Sequence, residues 1–185
     1  MSADVRGLIL TGGASSRMGR DKAEIVYAQL PQWRALEEIL RPLCADVFWS
    51  CMPTQQAQWN IGNRAIVDVV AGHGPASGLH AAFTKTEQES TTAWLVVGCD
   101  YPLLEIRDLQ SLVHARSPDT DAVVFIDEHK NEIEPMIALW EPSAQAQFLT
   151  AFAHGEFSPR RILRSCKLKM IPPRDHSILS NRNTP

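Results

Sequence analysis

The chain has 185 residues, of which 44% are apolar and 21% charged, the size and mixture of a single globular domain with one core. Its formal charge of −3 and pI near 6.1 exclude a general nucleic-acid binder, which needs a basic face against phosphates, but leave room for a small anion in a local basic pocket. No apolar run approaches the roughly 18 residues of a membrane span, and the N-terminus lacks the basic and apolar regions of a signal peptide, so a cytoplasmic protein without membrane association is expected.

Val5–Leu10 reads as the first strand and opens into Thr11-Gly12-Gly13-Ala14-Ser15-Ser16-Arg17-Met18-Gly19-Arg20-Asp21-Lys22. Glycines let backbone N–H groups approach phosphate oxygens, while Arg17 and Lys22 supply offsetting charge, so this loop is suited to a polyphosphate. It contains neither G-x-x-x-x-G-K-[ST] nor G-x-G-x-x-G, which argues against a Walker ATPase and a dinucleotide-dependent dehydrogenase. Ala35–Leu43 places Leu36, Ile39, Leu40 and Leu43 on one helical stripe. Strands follow at Asp46–Cys51 and Ala65–Val69, the second carrying Asp68 ahead of Gly72-His73-Gly74-Pro75-Ala76-Ser77-Gly78. Gly78–Thr84 reads as a crossover helix, with a start near Pro75 that would turn free N–H groups toward a ligand. Trp94–Val97 is a buried strand running into Gly98-Cys99-Asp100-Tyr101-Pro102, and Glu105–Ala115 is the next helix. Then come a strand at Ala122–Ile126, a late strand at Glu134–Trp140 whose Pro135 suits a strand start or edge, and a helix over Ser143–Ala153. A second helix starts at Ser158-Pro159-Arg160, Lys167–Ile171 is a short last strand, and Pro172-Pro173 begins an irregular tail.

Strands alternating with helices imply a three-layer α/β domain, a mostly parallel twisted sheet covered on both faces, spanning residues 1–185. Such sheets bind ligands beyond the carboxyl ends of their strands, where strand order reverses. That rule gathers the loops at Gly12–Lys22, Ser50–Gln55, Asp68–Gly78 and Cys99–Leu103. Asp100 stands where a buried strand meets solvent and is suited to Mg²⁺, which takes one or two carboxylates together with waters and substrate phosphates. Its alternative role is a cap for the helix near Glu105. Cys99 reads as a small buried filler, His73 as a loop residue and Asp68 equally as ligand or scaffold. The four cysteines and six histidines show no zinc spacing.

The run L-x-G-G-x-S-x-R-M-G-x-D-K resembles the signature loop of the molybdenum cofactor guanylyltransferases and related nucleotidyltransferases, with Thr11 where Ala is usual. Cys99-Asp100-Tyr101-Pro102 is similar to the family's C-D-x-P metal motif, Asp68 to its acid before a G-P-x-x-G loop, and Asn181-Arg182-Asn183-Thr184-Pro185 to its N-x-N-T-P motif. Ser50 falls on a polar nucleotide contact that is often Asn. The chain departs from the family at Cys51-Met52-Pro53, which lacks an Asn-Arg, and at Leu30, where a Lys is common. It also stops where the family runs on into a short helix.

The resemblance implies a Rossmann-like, nucleotide-diphospho-sugar transferase-like fold and transfer of GMP from Mg-GTP to the terminal phosphate of molybdopterin, releasing pyrophosphate. It implies catalytic Lys22, Arg17 and Asp100, with Mg²⁺ on Asp100. Nucleotide binding falls to Leu10, Thr11, Gly12, Gly13, Lys22, Ser50, Asp68 and Asp100, and acceptor binding to Asn181 and Asn183. Other molybdenum cofactor biosynthesis proteins or target molybdoenzymes would be its partners. Two alternatives stay open: another nucleotidyltransferase of the same fold, using CTP or a sugar phosphate, and a non-catalytic partner that binds nucleotide or cofactor.

Overall fold

The computed structural model describes residues 4–11, 22–27, 29–67, 70, 72–87 and 91–181. Seven strands form one sheet among them: β1 (Val5–Leu10), β2 (Val47–Cys51), β3 (Ala65–Val67), β4 (Ala93–Gly98), β5 (Ala122–Asp127), β6 (Glu132–Trp140) and β7 (Leu168–Ile171), in the order β3-β2-β1-β4-β6-β5-β7. All neighbours are parallel except β6, which runs antiparallel to both β4 and β5. The expected three-layer, mostly parallel sheet is therefore present, with one reversed strand.

Helices α1 (Gln32–Leu40), α2 (Pro53–Trp59) and α4 (Ile106–His114) cover one face, and α3 (Pro75–Lys85), α5 (Pro142–Ala153) and α6 (Pro159–Arg164) the other. The strands are apolar on both sides because both are buried: in β1, Ile9 packs with Trp33, Leu36 and Leu40, while Leu8 and Leu10 pack with Leu79 and Phe83. No helix among the described residues is long and apolar enough to cross a membrane.

Three elements differ from the sequence reading. Helix α1 begins at Gln32 rather than Ala35, after Pro31 in extended conformation, and a turn takes over beyond Leu40 where Leu43 N donates to Leu40 O (2.9 Å). Helix α2 occupies part of what reads as loop; Pro53 sits in its first turn and Trp59 stacks on Trp33 with ring centroids 4.8 Å apart. Pro135 lies inside a central strand instead of at an edge or start. It is tolerated because pairing with β4 stops at Ile137 and the β5 ladder shifts register between Val124 and Phe125, skipping the proline.

Candidate active site

The strand order reverses at β1, whose successors β2 and β4 lie on opposite sides of it. Their carboxyl ends are level: Leu10 pairs with Ser50 and with Gly98, Thr11 N donates to Ser50 O (3.1 Å), and Cys99 N donates to Leu10 O (3.1 Å). The root of the glycine loop, Ser50 and Asp100 therefore meet at the crevice where doubly wound sheets take ligands.

Leu10 and Thr11 are buried at this root, and the threonine hydroxyl donates to Ser50 O (2.7 Å). Thr11 thus uses its extra oxygen to tie β1 to β2, which accounts for its fit where alanine is usual. Gly12, Gly13 and Arg17 lie outside the described residues, as do Asp68, Asn183 and the side chain of Lys22. The backbone re-enters at Lys22 in a short 3-10 turn, Lys22–Glu24. That turn is anchored: Ala23 is buried, the Glu24 carboxylate accepts from Trp59 Nε1, and Gln32 N donates to Ile25 O (3.0 Å).

Ser50 is 2% exposed and faces α3, where Gly78 leaves room for it; a β-carbon at Gly78 would collide with Ser50 Oγ and lie 2.9 Å from Leu10 Cδ2. The glycine lets α3 approach the loop root, and Ser50 braces that contact from below. Gly74 precedes the helix at φ 58°, left-handed geometry that favours glycine, and Pro75 opens its first turn. His73 stacks on Phe157 with centroids 3.7 Å apart and is a loop residue, as expected.

Asp100 is half-buried beyond β4, with Cys99 Sγ 3.9 Å from its Oδ1. It does not cap α4: Glu105 begins that helix, and Glu105 N donates to the buried Asp108 carboxylate (2.9 Å). The capping alternative for Asp100 is thereby removed. Cys99 is the buried filler expected of it. Burial pushes the Cys44 thiol up to about 12 and the Cys166 thiol up to about 11, so neither is a ready nucleophile.

Next to Asp100, Tyr101 is 2% exposed and gathers three segments. Its carbonyl accepts from Gln32 Nε2 at the start of α1 (3.2 Å), and its phenol meets the side chains of Glu134 and Asn181. Burial foremost, then the Glu134 charge, holds the phenol far above its ordinary titration range. Burial likewise raises the Glu134 carboxyl, against the pull of the Met136 N–H, which donates to Glu134 Oε1 (3.0 Å). Sequence reasoning placed Asn181 at the cleft but missed Tyr101, Glu134 and Gln32. The available signal was a charged residue opening an otherwise apolar strand.

The tail reaches this point by way of α4. Arg174 Nε donates to Asp108 Oδ1 (3.0 Å), and a short 3-10 turn, His176–Leu179, buries Ile178 against the sheet. Asn181 follows and is exposed.

The sequence profile of the MobA-like NTP transferase domain matches residues 7–171, from β1 through β7. The chain belongs to this family. It is similar to the molybdenum cofactor guanylyltransferase of Pseudomonas aeruginosa, 30% identical over 186 residues that cover 96% of this chain and 89% of that protein. It is 29% identical over 180 residues to a molybdenum cofactor biosynthesis bifunctional protein of Synechocystis, covering 97% of this chain and 51% of that one, so it spans about half the length of that relative. The solved molybdopterin-guanine dinucleotide biosynthesis protein A of Archaeoglobus fulgidus shares the fold, with a TM-score of 0.74 at 21% identity over 97% of this chain and 93% of that chain. As a MobA-like NTP transferase the chain is a nucleotidyltransferase.

Proposed function

We propose that this MobA-like NTP transferase moves GMP from GTP to the terminal phosphate of molybdopterin and releases pyrophosphate. The observation that carries the reading is the position of Asp100: it stands level with the root of the glycine loop at the point of strand reversal, free of the helix-capping role. Likeness along nearly the whole chain to a curated guanylyltransferase supports GTP as donor and molybdopterin as acceptor.

In this reading an oxygen of the acceptor's phosphate monoester attacks the α-phosphorus of GTP. The bond from that phosphorus to the bridging oxygen breaks, and pyrophosphate departs with the bonding pair. The attacking oxygen is already anionic, so no general base is required. The protein contributes alignment and charge neutralisation. Gly12 and Gly13 offer backbone N–H groups to the triphosphate, while Arg17 and Lys22 offset its charge. Leu10, Thr11 and Ser50 hold the base of that loop in place, and Asp68 would bind the nucleotide. Asn181 and Asn183 bind the acceptor.

Asp100 would hold Mg²⁺. The donor fits: a half-buried carboxylate suits an ion whose other ligands are water and nucleotide phosphate. When bound, the ion would offset phosphate charge. A cytoplasmic location and contacts with other cofactor-assembly proteins or recipient molybdoenzymes belong to the same proposal.

The test is a thermal-shift panel of GTP, CTP, ATP and UTP with Mg²⁺, followed by a pyrophosphate-release assay with molybdopterin. GTP should give the largest rise in midpoint, since a ligand that prefers the folded state stabilises it by mass action. A larger rise with CTP, and pyrophosphate release with CTP alone, would overturn the guanylyl assignment in favour of a cytidylyltransferase. Nucleotide binding without pyrophosphate release would instead leave a non-catalytic carrier.

A further inference from the structure

We propose that Gln32 is a positioning residue that ties the segment carrying Lys22 to the segment carrying Asp100, so that the cation assigned to the triphosphate and the carboxylate assigned to Mg²⁺ keep a fixed spacing. The inference rests on the roles given to Lys22 and Asp100 above.

Both neighbours of Asp100 are held by hydrogen bonds. On one side Cys99 N donates to Leu10 O (3.1 Å) at the end of β1. On the other, Tyr101 O accepts from Gln32 Nε2 (3.2 Å) in a buried bond. Gln32 turns its backbone N–H to the chain just past Lys22, donating to Ile25 O (3.0 Å). Leu10 and Ile25 flank Gly12, Gly13, Arg17 and Lys22 in the chain, so both ends of the proposed phosphate-binding stretch are tied to the neighbours of Asp100. One tie is direct; the other runs through Gln32.

Gln32 can serve as a brace because it is itself fixed. It is 4% exposed and opens α1 after Pro31, which pairs with Val26 in an antiparallel bridge. The adjacent Trp33 stacks on Trp59, whose Nε1 donates to the Glu24 carboxylate, so the Lys22–Glu24 turn is gripped from α2 as well. At the other end of the brace, the Tyr101 ring packs so closely over β4 that a β-carbon at Gly98 would lie 3.2 Å from Tyr101 Cε2. Pro102 follows and restricts the backbone of the residue before it. Burying an amide is costly unless it is hydrogen-bonded, and Gln32 spends its side-chain donor on the one carbonyl that adjoins Asp100. Such spacing matters for in-line displacement at phosphorus, where a misplacement of about 1 Å can cost ~10²-fold in rate.

Gln32→Met nearly keeps the length of the side chain and retains the backbone N–H to Ile25, but removes the donor to Tyr101. Tyr101 O still accepts from Leu104 N (3.4 Å), so no buried carbonyl is orphaned and the fold should persist. GTP affinity titrated without Mg²⁺ should match wild type, because the Lys22 segment keeps its own anchors. The Mg²⁺ concentration that half-saturates the GTP complex should rise by about tenfold, the size one hydrogen bond supplies, and the Leu104 amide should exchange its hydrogen faster. In an Asp100→Asn background, Gln32→Met should leave the Mg²⁺ requirement where Asp100→Asn puts it, because its action passes through Asp100. A wild-type Mg²⁺ requirement in Gln32→Met beside a raised one in Asp100→Asn, or additive effects of the two, would overturn the positioning role and leave the Asp100 reading standing. A wild-type requirement in Asp100→Asn would bring down both. If Gln32→Met does not fold, Gln32→Asn, which keeps the amide but shortens its reach, carries the same test with the same expected rise.

Discussion

Gly78 sits directly over the Ser50 hydroxyl, so closely that a β-carbon there would collide with Ser50 Oγ and press on Leu10 Cδ2 at 2.9 Å. The contact joins α3 to the carboxyl ends of β1 and β2, and the proposed phosphate-binding residues follow β1 directly in the chain. Gly78→Ala should therefore lower stability by about 1–3 kcal/mol, the usual cost of overpacking, and weaken GTP binding by displacing the loop root. Ser50→Gly in the same chain should recover part of the lost stability, because it removes one of the two obstacles. Thermal denaturation and nucleotide titration of the single and double variants check this, and a Gly78→Ala protein with wild-type midpoint and affinity would contradict it.

Much of this arrangement was legible in the amino-acid order. Val5–Leu10 is apolar at every position but Arg6 and Gly7, as a strand buried on both faces must be, and its bounds are those of β1. Glycine followed by proline marked the start of α3, and Ser158 before Pro159 marked α6, where Ser158 Oγ accepts from Arg161 N (3.3 Å). The direction of β6 has a trace in the connection rather than in the strand, because the stretch between Ile126 and Glu134 is too short for a parallel crossover and makes β5 and β6 a hairpin. Other features left no local trace. Pro53-Thr54-Gln55-Gln56-Ala57-Gln58-Trp59 has too few apolar residues for a helical stripe and is held instead by distant contacts of Trp59, its stack on Trp33 and its Nε1 donating to Glu24. Tyr101 and Glu134 lie far apart in sequence, and only the β4–β6 register brings them together. Asp100 and Asn181 stand out in the sequence because their types and spacing match a family pattern, whereas Tyr101 occupies a variable position of that pattern.

Asp100→Asn is nearly isosteric but neutral. It should abolish Mg²⁺-dependent pyrophosphate release while leaving the circular dichroism spectrum and urea midpoint unchanged, because Asp100 takes no part in capping α4. Lys22→Ala should have the same effect on turnover and should weaken GTP binding as well, since its charge faces the triphosphate in the proposed reading. Turnover retained in either variant would remove that residue from the machinery.

The buried Asp108 serves two masters: its Oδ2 accepts the Glu105 N–H at 2.9 Å and its Oδ1 accepts Arg174 Nε at 3.0 Å. Asp108→Ala breaks the helix cap and releases the tail together, at a cost of about 1–3 kcal/mol. Arg174→Ala leaves the cap and gives up the ion pairs to Asp108 and Glu105, a smaller loss than that of the cap and tail together because the arginine is part-exposed. Both should speed hydrogen exchange at the amides of Ser177 and Ser180, which donate to Asp175 and Ser177 carbonyl or carboxylate oxygens in the folded tail. Only Asp108→Ala should also speed exchange in the first turn of α4. Equal loss of stability in the two variants would show that the cap contributes nothing.

Asp121 ties three segments at the far end of the sheet. Its carboxylate accepts from the Ser143 hydroxyl (2.6 Å), from Lys167 N at the entry to β7 (2.8 Å) and from Gln147 Nε2 (3.2 Å). The Ser143 bond foremost, then the Lys167 N–H, holds the carboxyl below its ordinary value of 3.8. In the unfolded chain the group therefore binds a proton at a higher pH than it does in the fold. The stability it contributes is fully present above the unfolded value and is lost as pH falls from there through the folded one. Asp121→Asn has no such titration. Thermal midpoints measured between pH 6 and pH 2 should show the variant less stable than wild type at pH 6, with the gap closing below about pH 4 as the wild-type carboxyl takes up its proton. A gap that stays constant across that range would mean that the Asp121 bonds do not depend on its charge.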